Sequence, residues 1–317
     1  MKFFIFPFFL NLLILNSFCQ NSYVVAQDGS GDFKTVQSAL DAIPSGTDKK
    51  FIIKIKNGIY KELIIVDARK NFIHLIGEDK SKTILSFNNH SGTKLLNGDT
   101  LNTWTCASTI VYGNNFIAEN VTFENNAGFA AGQAVGLRIE GNRAIIKNCR
   151  IVGNQDILFL SGSGVKQYFK DCYIEGTTDF IFGASTVVFQ NCWIHSKKNS
   201  HITAASTNSI VPFGFVFIDC KLTADSNINK VSLGRPWTPT ASVTYINCWM
   251  DKHIIPEGWN NWKNPNNEAT VRYAEYNSSG PGANKEKRVS WSKQISEDEL
   301  KNYSIKNILG EWNPEKE

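Results

Sequence analysis

Ala144–Ile151 reads AIIKNCRI, and the phrase returns as Gln167–Ile174 (QYFKDCYI), Val187–Ile194 (VVFQNCWI), Phe215–Leu222 (FVFIDCKL) and Val243–Met250 (VTYINCWM). Each copy is an apolar run, then Asn or Asp, then Cys, one variable residue and an aliphatic one. Ile117–Phe123 (IAENVTF) is the same unit with Val121 in the cysteine's place. The Asn/Asp positions are 120, 148, 171, 191, 219 and 247, so the steps are 28, 23, 20, 28 and 28 residues. Short β-rich units at such a period indicate a solenoid of stacked coils.

The units are rich in Val, Ile, Phe and Tyr and lack sustained 3.6-residue patterning, which argues against helical repeats. The several-leucine signature of leucine-rich repeats is missing. A parallel β-helix fits best, an all-β fold in which each coil adds a strand to a growing parallel sheet. In this register Cys149, Cys172, Cys192, Cys220 and Cys248 form an interior ladder with a step of ~4.8 Å. Buried thiols are the expected state, because free Cys packs as a small hydrophobe and Val121 takes the same place. A disulfide framework is the rival reading for an exported chain. No metal is expected: the cysteines lack paired C-x-x-C spacing, and His74, His90, His195, His201 and His253 form no ligand cluster.

Composition narrows the remaining classes. The 317 residues carry 33 Lys+Arg against 29 Asp+Glu, and a net +4 is too small for a dedicated nucleic-acid binder. With 21 Phe, 9 Tyr and 8 Trp there is ample apolar surface to bury, which excludes general disorder. Residues 1–19 read as a signal peptide: Lys2, the apolar run Phe3–Leu15, and small residues at Ser17 and Cys19 before a mature start near Gln20. Export is therefore expected, to the medium or the periplasm. Lipidation of Cys19 is disfavoured by the bulky Phe18. No later stretch reaches the ~18 apolar residues of a membrane span. Residues 20–317 are expected to be one domain, compatible with a monomer. A short capping helix is expected within Asp32–Ala42, and an irregular tail from about Pro256 packs along the outside, with a short helix from Asp298.

The repeat also places acidic residues. Asp156 lies seven residues after Cys149, and Asp179 seven after Cys172, so two carboxylates occupy equivalent positions on consecutive coils. Like charges one strand apart cannot both ionise freely, and one should hold a proton near neutrality. A solvated turn with the two side chains pointing apart is the plain alternative. Around them stand Gly153–Phe159 (GNQDILF), Gly176–Gly183 (GTTDFIFG), Leu233–Trp237 (LGRPW), Gln133–Arg138 (QAVGLR) and Gly58–Glu62 (GIYKE).

These five segments, taken in their order along the chain, resemble the pectin methylesterase (pectinesterase) family from about Tyr23 to the C-terminus. The resemblance implies a right-handed parallel β-helix and the hydrolysis of galacturonate methyl esters in pectin, without a cofactor. It implies Asp179 as nucleophile, Asp156 as general acid and then base, Gln155 and Gln133 as oxyanion donors, and Arg235 as the cation holding the nucleophile. Phe159, Phe182 and Trp237, and more weakly Trp259, are implied as cleft or sugar-stacking residues. Because Phe180 and Phe182 alternate with Ile181, Phe182 is expected to face the cleft and Phe180 the core.

The chemistry is self-consistent. There is no G-x-S-x-G elbow for a serine triad, and a carboxylate nucleophile beside a cation with a protonated neighbour can run ester hydrolysis. Three positions depart from the family pattern: Ile157 for a common Thr, Phe159 for Tyr, and Gly136 for Ala. No long inhibitory region precedes the catalytic part, so a directly exported enzyme is expected. Other activities remain open on these residues. A glycoside hydrolase could use the same carboxylate pair. A calcium-dependent lyase would need an acidic cluster that is not seen. A thioesterase relative or a binding solenoid would keep the fold.

Overall fold

The computed structural model describes residues 21–317, built as three parallel sheets of 11, eight and seven strands. The signal-peptide reading and Cys19 lie outside the described residues. Each coil visits the three sheets in turn, as Ala144–Lys147, Arg150–Val152 and Leu158–Leu160 do. The next coil stacks on it in register: Ala144 pairs with Gln167, Arg150 with Tyr173 and Leu158 with Ile181. The fold is an all-β, right-handed parallel β-helix.

The repeated Asn/Asp explains the corner between the first and second sheets. Residues 120, 148, 171, 191, 219 and 247 all take φ between 48° and 58°, the left-handed region that short polar side chains tolerate best. Their side chains then bond along the stack; the Asn148 amide donates to Asn120 at 2.7 Å. The chain turns there, and the following residue points inward. Cys149, Cys172, Cys192, Cys220 and Cys248 are buried in one core with Val121. All six described cysteines are free, and each ladder thiol donates to a carbonyl of the preceding coil, as Cys172 does to Ile146 at 3.3 Å. Alongside runs an aromatic stack, with Phe189–Phe217 and Phe217–Tyr245 ring centroids both 4.5 Å apart.

Stacking continues one coil beyond the sequence repeat. Arg272–Tyr276 pairs with Ser242–Ile246, and Asn277 repeats the left-handed corner with Ser278 where the cysteine would stand. This extra coil corrects the reading of Trp259. Its ring lies 4.3 Å from Tyr273 in the core and is only 2% exposed, so it closes the interior instead of lining a cleft.

At the other end the helix is Val36–Ala42, not from Asp32, and Thr35 caps it by accepting from the Ser38 N–H. It buries Val36, Ala39 and Leu40 and packs on strands Ser22–Val25 and Ile64–Val66, which are edge strands of their sheets. The Gly58–Glu62 segment has a structural use here. The Glu62 carboxylate accepts from the Val36 and Gln37 N–H groups at 2.9 Å each, supplying an acceptor at the helix N-terminus. The C-terminal tail, with a helix at Glu297–Leu300, returns along the first sheet. There Ile308, Leu309 and Trp312 cover the outward residues Ile145, Tyr168, Val188, Val216 and Ile246. No helix among the described residues is long and apolar enough to cross a membrane.

Candidate active site

The aspartates stand at the corner where the chain passes from the second sheet to the third. Gly153 and Gly176 begin these turns because the chain there presses against the residue after the aspartate. A Cβ on Gly153 would meet Ile157 at 2.3 Å, and one on Gly176 would meet Phe180 at 2.3 Å. Ile157 and Phe180 are fully buried, so they anchor the turn from below. Asp156 and Asp179 then take φ of 60° and 49°, which lifts the carboxylates above the sheet. The ladder continues through both: Asp156 N–H donates to Thr178 C=O at 3.0 Å, and Asp179 N–H to His201 C=O at 2.9 Å. The pair is therefore one strand step apart, as the repeat predicts.

The two carboxyls have different surroundings although both are buried. Arg235 donates to Asp179 from Nε (3.0 Å to Oδ1) and Nη2 (2.6 Å to Oδ2), a fork that only arginine can make. Arg235 reaches Asp179 because the outward row of the third sheet runs Phe182, Ala204, Arg235, and the small Ala204 leaves room for the side chain to lean back. Burial raises the Asp179 pKa while the Arg235 hydrogen bonds and charge oppose that rise. Asp156 has no such fork. Burial first, then the Asp179 charge, push its pKa up to about 8. Of the two, Asp156 is therefore the carboxyl that holds a proton at neutral pH.

Eleven residues line a cleft of about 230 Å³, among them Gln133, Gln155, Asp156, Asp179, Arg235, Phe182 and Trp237. The structure thus brings together seven of the nine expected site residues. Gln133 and Gln155 stand side by side, since Ala134 N–H donates to Gln155 C=O at 3.1 Å. The Gln155 amide also pulls the Asp156 pKa back down. A larger hollow of about 690 Å³ between Glu275 and Ile295 shares no residue with this cleft.

Phe182 faces the cleft and Phe180 the core, as alternation requires. Phe159 needs correction. It is 1% exposed and lies behind the wall, stacked on Phe182 at 4.4 Å and covered edge-on by Trp104 at 4.9 Å. The exposed wall is instead Trp104, which sequence reasoning missed because its loop lies outside the repeat. Arg138 holds that loop by donating to the Trp104 carbonyl. The aromatic sought at Trp259 is Trp262, three residues on. Its ring lies 3.7 Å from the Arg235 guanidinium carbon, a cation–π contact on the group that holds Asp179.

In the sequence His201 belongs to no cluster. It follows Asp179 in the same row, its ring bonded to Ser232 Oγ at 2.7 Å, and burial with the nearby Arg235 charge pushes its pKa down to about 4. It is therefore neutral beside the nucleophile candidate at ordinary pH. Two departures from the family pattern also explain each other. A Cβ on Gly136 would stand 2.6 Å from Ile157 Cδ1, so the larger Ile157 favours glycine at 136.

A right-handed β-helix with a bidentate Arg–Asp pair beside a second, buried aspartate in an aromatic cleft defines a class: β-helix proteins with a paired-carboxyl site. Comparison with known proteins narrows this. The pectinesterase family model matches residues 22–311. Pectinesterase 31 of Arabidopsis thaliana is 42% identical over 283 residues, covering 87% of this chain and 88% of that protein. The pectin methylesterase from carrot superposes with a TM-score of 0.84 at 32% identity, over 90% of this chain and 92% of the other. A pectin methylesterase solved in complex with a hexasaccharide gives 0.83 at 29% identity, over 92% of this chain and 97% of the other. The chain belongs to the pectinesterase family and is a carboxylic ester hydrolase.

Proposed function

We propose that the chain demethylates pectin with Asp179 as nucleophile and Asp156 as proton carrier. The observation that carries this reading is the asymmetry of the pair: Arg235 grips Asp179 alone, and Asp156 is left with a pKa of about 8. Two like groups pushed apart in this way take the two roles that ester hydrolysis requires.

Asp179 attacks the carbonyl carbon of a galacturonate methyl ester, forming a tetrahedral oxyanion. The Gln133 and Gln155 amides are the neutral donors at that side of the cleft, and they stabilise the oxyanion without competing for Asp179 as a cation would. As the C–O bond to the methoxy group breaks, Asp156 delivers its proton and methanol leaves. The product is a mixed anhydride on Asp179. Asp156, now ionised, takes a proton from water, and the resulting hydroxide attacks the acyl carbon. Asp179 is released as carboxylate, the sugar unit leaves as a carboxylic acid that gives its proton to solvent, and Asp156 is again protonated. Arg235 orients the attacking oxygen throughout.

Trp237 and Trp104, half-exposed at the mouth, supply ring faces for pyranose stacking, while the buried Phe182 floors the cleft. The hexasaccharide bound to the related enzyme supports a polymeric substrate here. Export, secreted or periplasmic, fits a polymer too large to enter a cell. The test is side-by-side measurement of methanol and new reducing ends from highly methylated pectin. Methanol alone, abolished in Asp179→Asn, is the expected result. Reducing ends without methanol would move the same pair to glycoside cleavage.

A further inference from the structure

The outer face of the second sheet carries a row of residues that this chemistry does not use. Arg150, Tyr173, Trp193, Lys221 and Trp249 pair in register across five consecutive strands. At ~4.8 Å per strand step the row is about 19 Å long. Cations and rings interleave along it. The Arg150 guanidinium lies 5.4 Å from the Tyr173 ring centre, and the Lys221 ammonium lies 5.6 Å from Trp193 and 5.3 Å from Trp249. Trp193 is 47% exposed and Trp249 37%, which for such large side chains is a considerable open apolar area.

The charges on this face are unevenly satisfied. The acids on the strands themselves are engaged: Glu175 bonds Lys197 at 3.1 Å and the Tyr173 hydroxyl at 2.8 Å, Asp225 meets His195 at 3.0 Å, and Glu124 accepts from Ser86 at 2.6 Å. Among the described residues, Arg150 and Lys221 face ring faces and no carboxylate. The C-terminal tail covers the first sheet, and the cleft opens on the third. The second sheet's row is left uncovered, presenting ring faces for sugars and unpaired cations for carboxylates at a repeat of one per strand.

We propose that this row is a second polysaccharide site, which holds de-esterified galacturonan, the anionic product, while the cleft works on methylated stretches of the same polymer. The proposal rests on the pectin reading above. It commits to an acidic glycan because the two charged members of the row, Arg150 and Lys221, are both positive and face rings that sugars stack on.

The test uses the full mature chain and polygalacturonate without methyl groups, read by retardation in polysaccharide-containing native gels and by calorimetry. The double variant Trp193→Ala/Lys221→Ala is expected to bind about tenfold more weakly, the loss of two exposed stacking and cation contacts. Its methanol release from a short methylated oligogalacturonate should be unchanged, while KM on long pectin rises. Arg150→Ala, at the other end of the row, should show the same split more weakly, and thermal melting checks that both variants fold. Unchanged retardation in both variants would overturn the proposal, as would equal binding of a neutral galactan. Methanol release from pectin by the unaltered chain is scored in the same preparations. Its absence would sink the pectin reading, whereas normal release with unaffected binding in the variants would sink the second site alone.

Discussion

Two rows of the solenoid are built by the same rule and have opposite consequences. Inside, Cys149, Cys172, Cys192, Cys220 and Cys248 repeat one residue type coil after coil. At the corner between the second and third sheets, Asp156, Asp179, His201 and Ser232 form the equivalent row. Stacking identical neutral groups costs little, since each thiol meets a similar neighbour and a backbone carbonyl. Stacking two carboxyls in a buried corner forces one to keep its proton, and the third member, His201, gives up its charge as well. A β-helix thus has a built-in means of placing like groups at contact distance, and the chemistry of the group decides whether the result is packing or a reactive site.

The largest expected effect breaks the reactive row at its centre. Asp179→Asn should lower methanol release by at least about 10³-fold while the fold survives, because the nucleophile is removed and the amide fits the same space. Retained activity in a purified, folded variant would refute the nucleophile assignment. Arg235→Lys tests the asymmetry directly. A lysine keeps the charge but not the fork, so kcat/KM should drop by roughly 10- to 100-fold, and wild-type rates would mean that the fork is dispensable.

Asp156→Asn sharpens the comparison through stability. A carboxyl whose pKa is raised to about 8 in the folded state contributes stability present below its ordinary value of 3.8 and lost as pH rises through 8. Relative to the parent, the Asn variant should therefore become more stable between pH 4 and pH 8, by on the order of a few kcal/mol. Melting curves at the two pH values check the sign; a difference that does not grow with pH would place the proton elsewhere. In the unaltered enzyme, activity should correspondingly fall as pH rises through about 8, because the general acid is then lost.

Smaller effects probe the packing under the row. Gly136→Ala should destabilise by about 1–3 kcal/mol, and adding Ile157→Thr should recover most of it, because the new Cβ and the Ile157 methyl compete for one space. Additive effects in urea denaturation would argue against that coupling. In the interior row, Cys192→Val should change stability by less than about 1.5 kcal/mol, given that Val121 already occupies an equivalent place. Thiol titration should accordingly find all six described cysteines reactive after unfolding without reductant.

Repetition made both rows legible in the sequence. A period of Asn/Asp-Cys units fixes which residues stack, and the equal offset of Asp156 and Asp179 from their cysteines follows without coordinates. The aromatic wall was less legible because Trp104 and Trp262 sit in loops outside the period, where spacing says nothing about position. Trp259 and Trp262 differ by three residues and face opposite ways. Phe159 has the outward register that the alternation predicts, yet it is covered, because Trp104 arrives from a distant loop.

The sequence by itself determined the coil, its handed-on register, the inward thiols and the adjacency of two carboxyls, since a parallel sheet repeats whatever one strand dictates. Spacing alone left the two carboxyls equivalent; the family resemblance implied that Arg235 holds Asp179, and the tertiary structure supplies the physical reason for it. That grip depends on Arg235 leaning back across Ala204 from two coils away, under the ring of Trp262. Contacts across coils with irregular insertions between them have no fixed spacing in the chain, so their geometry exists only once the coils are stacked.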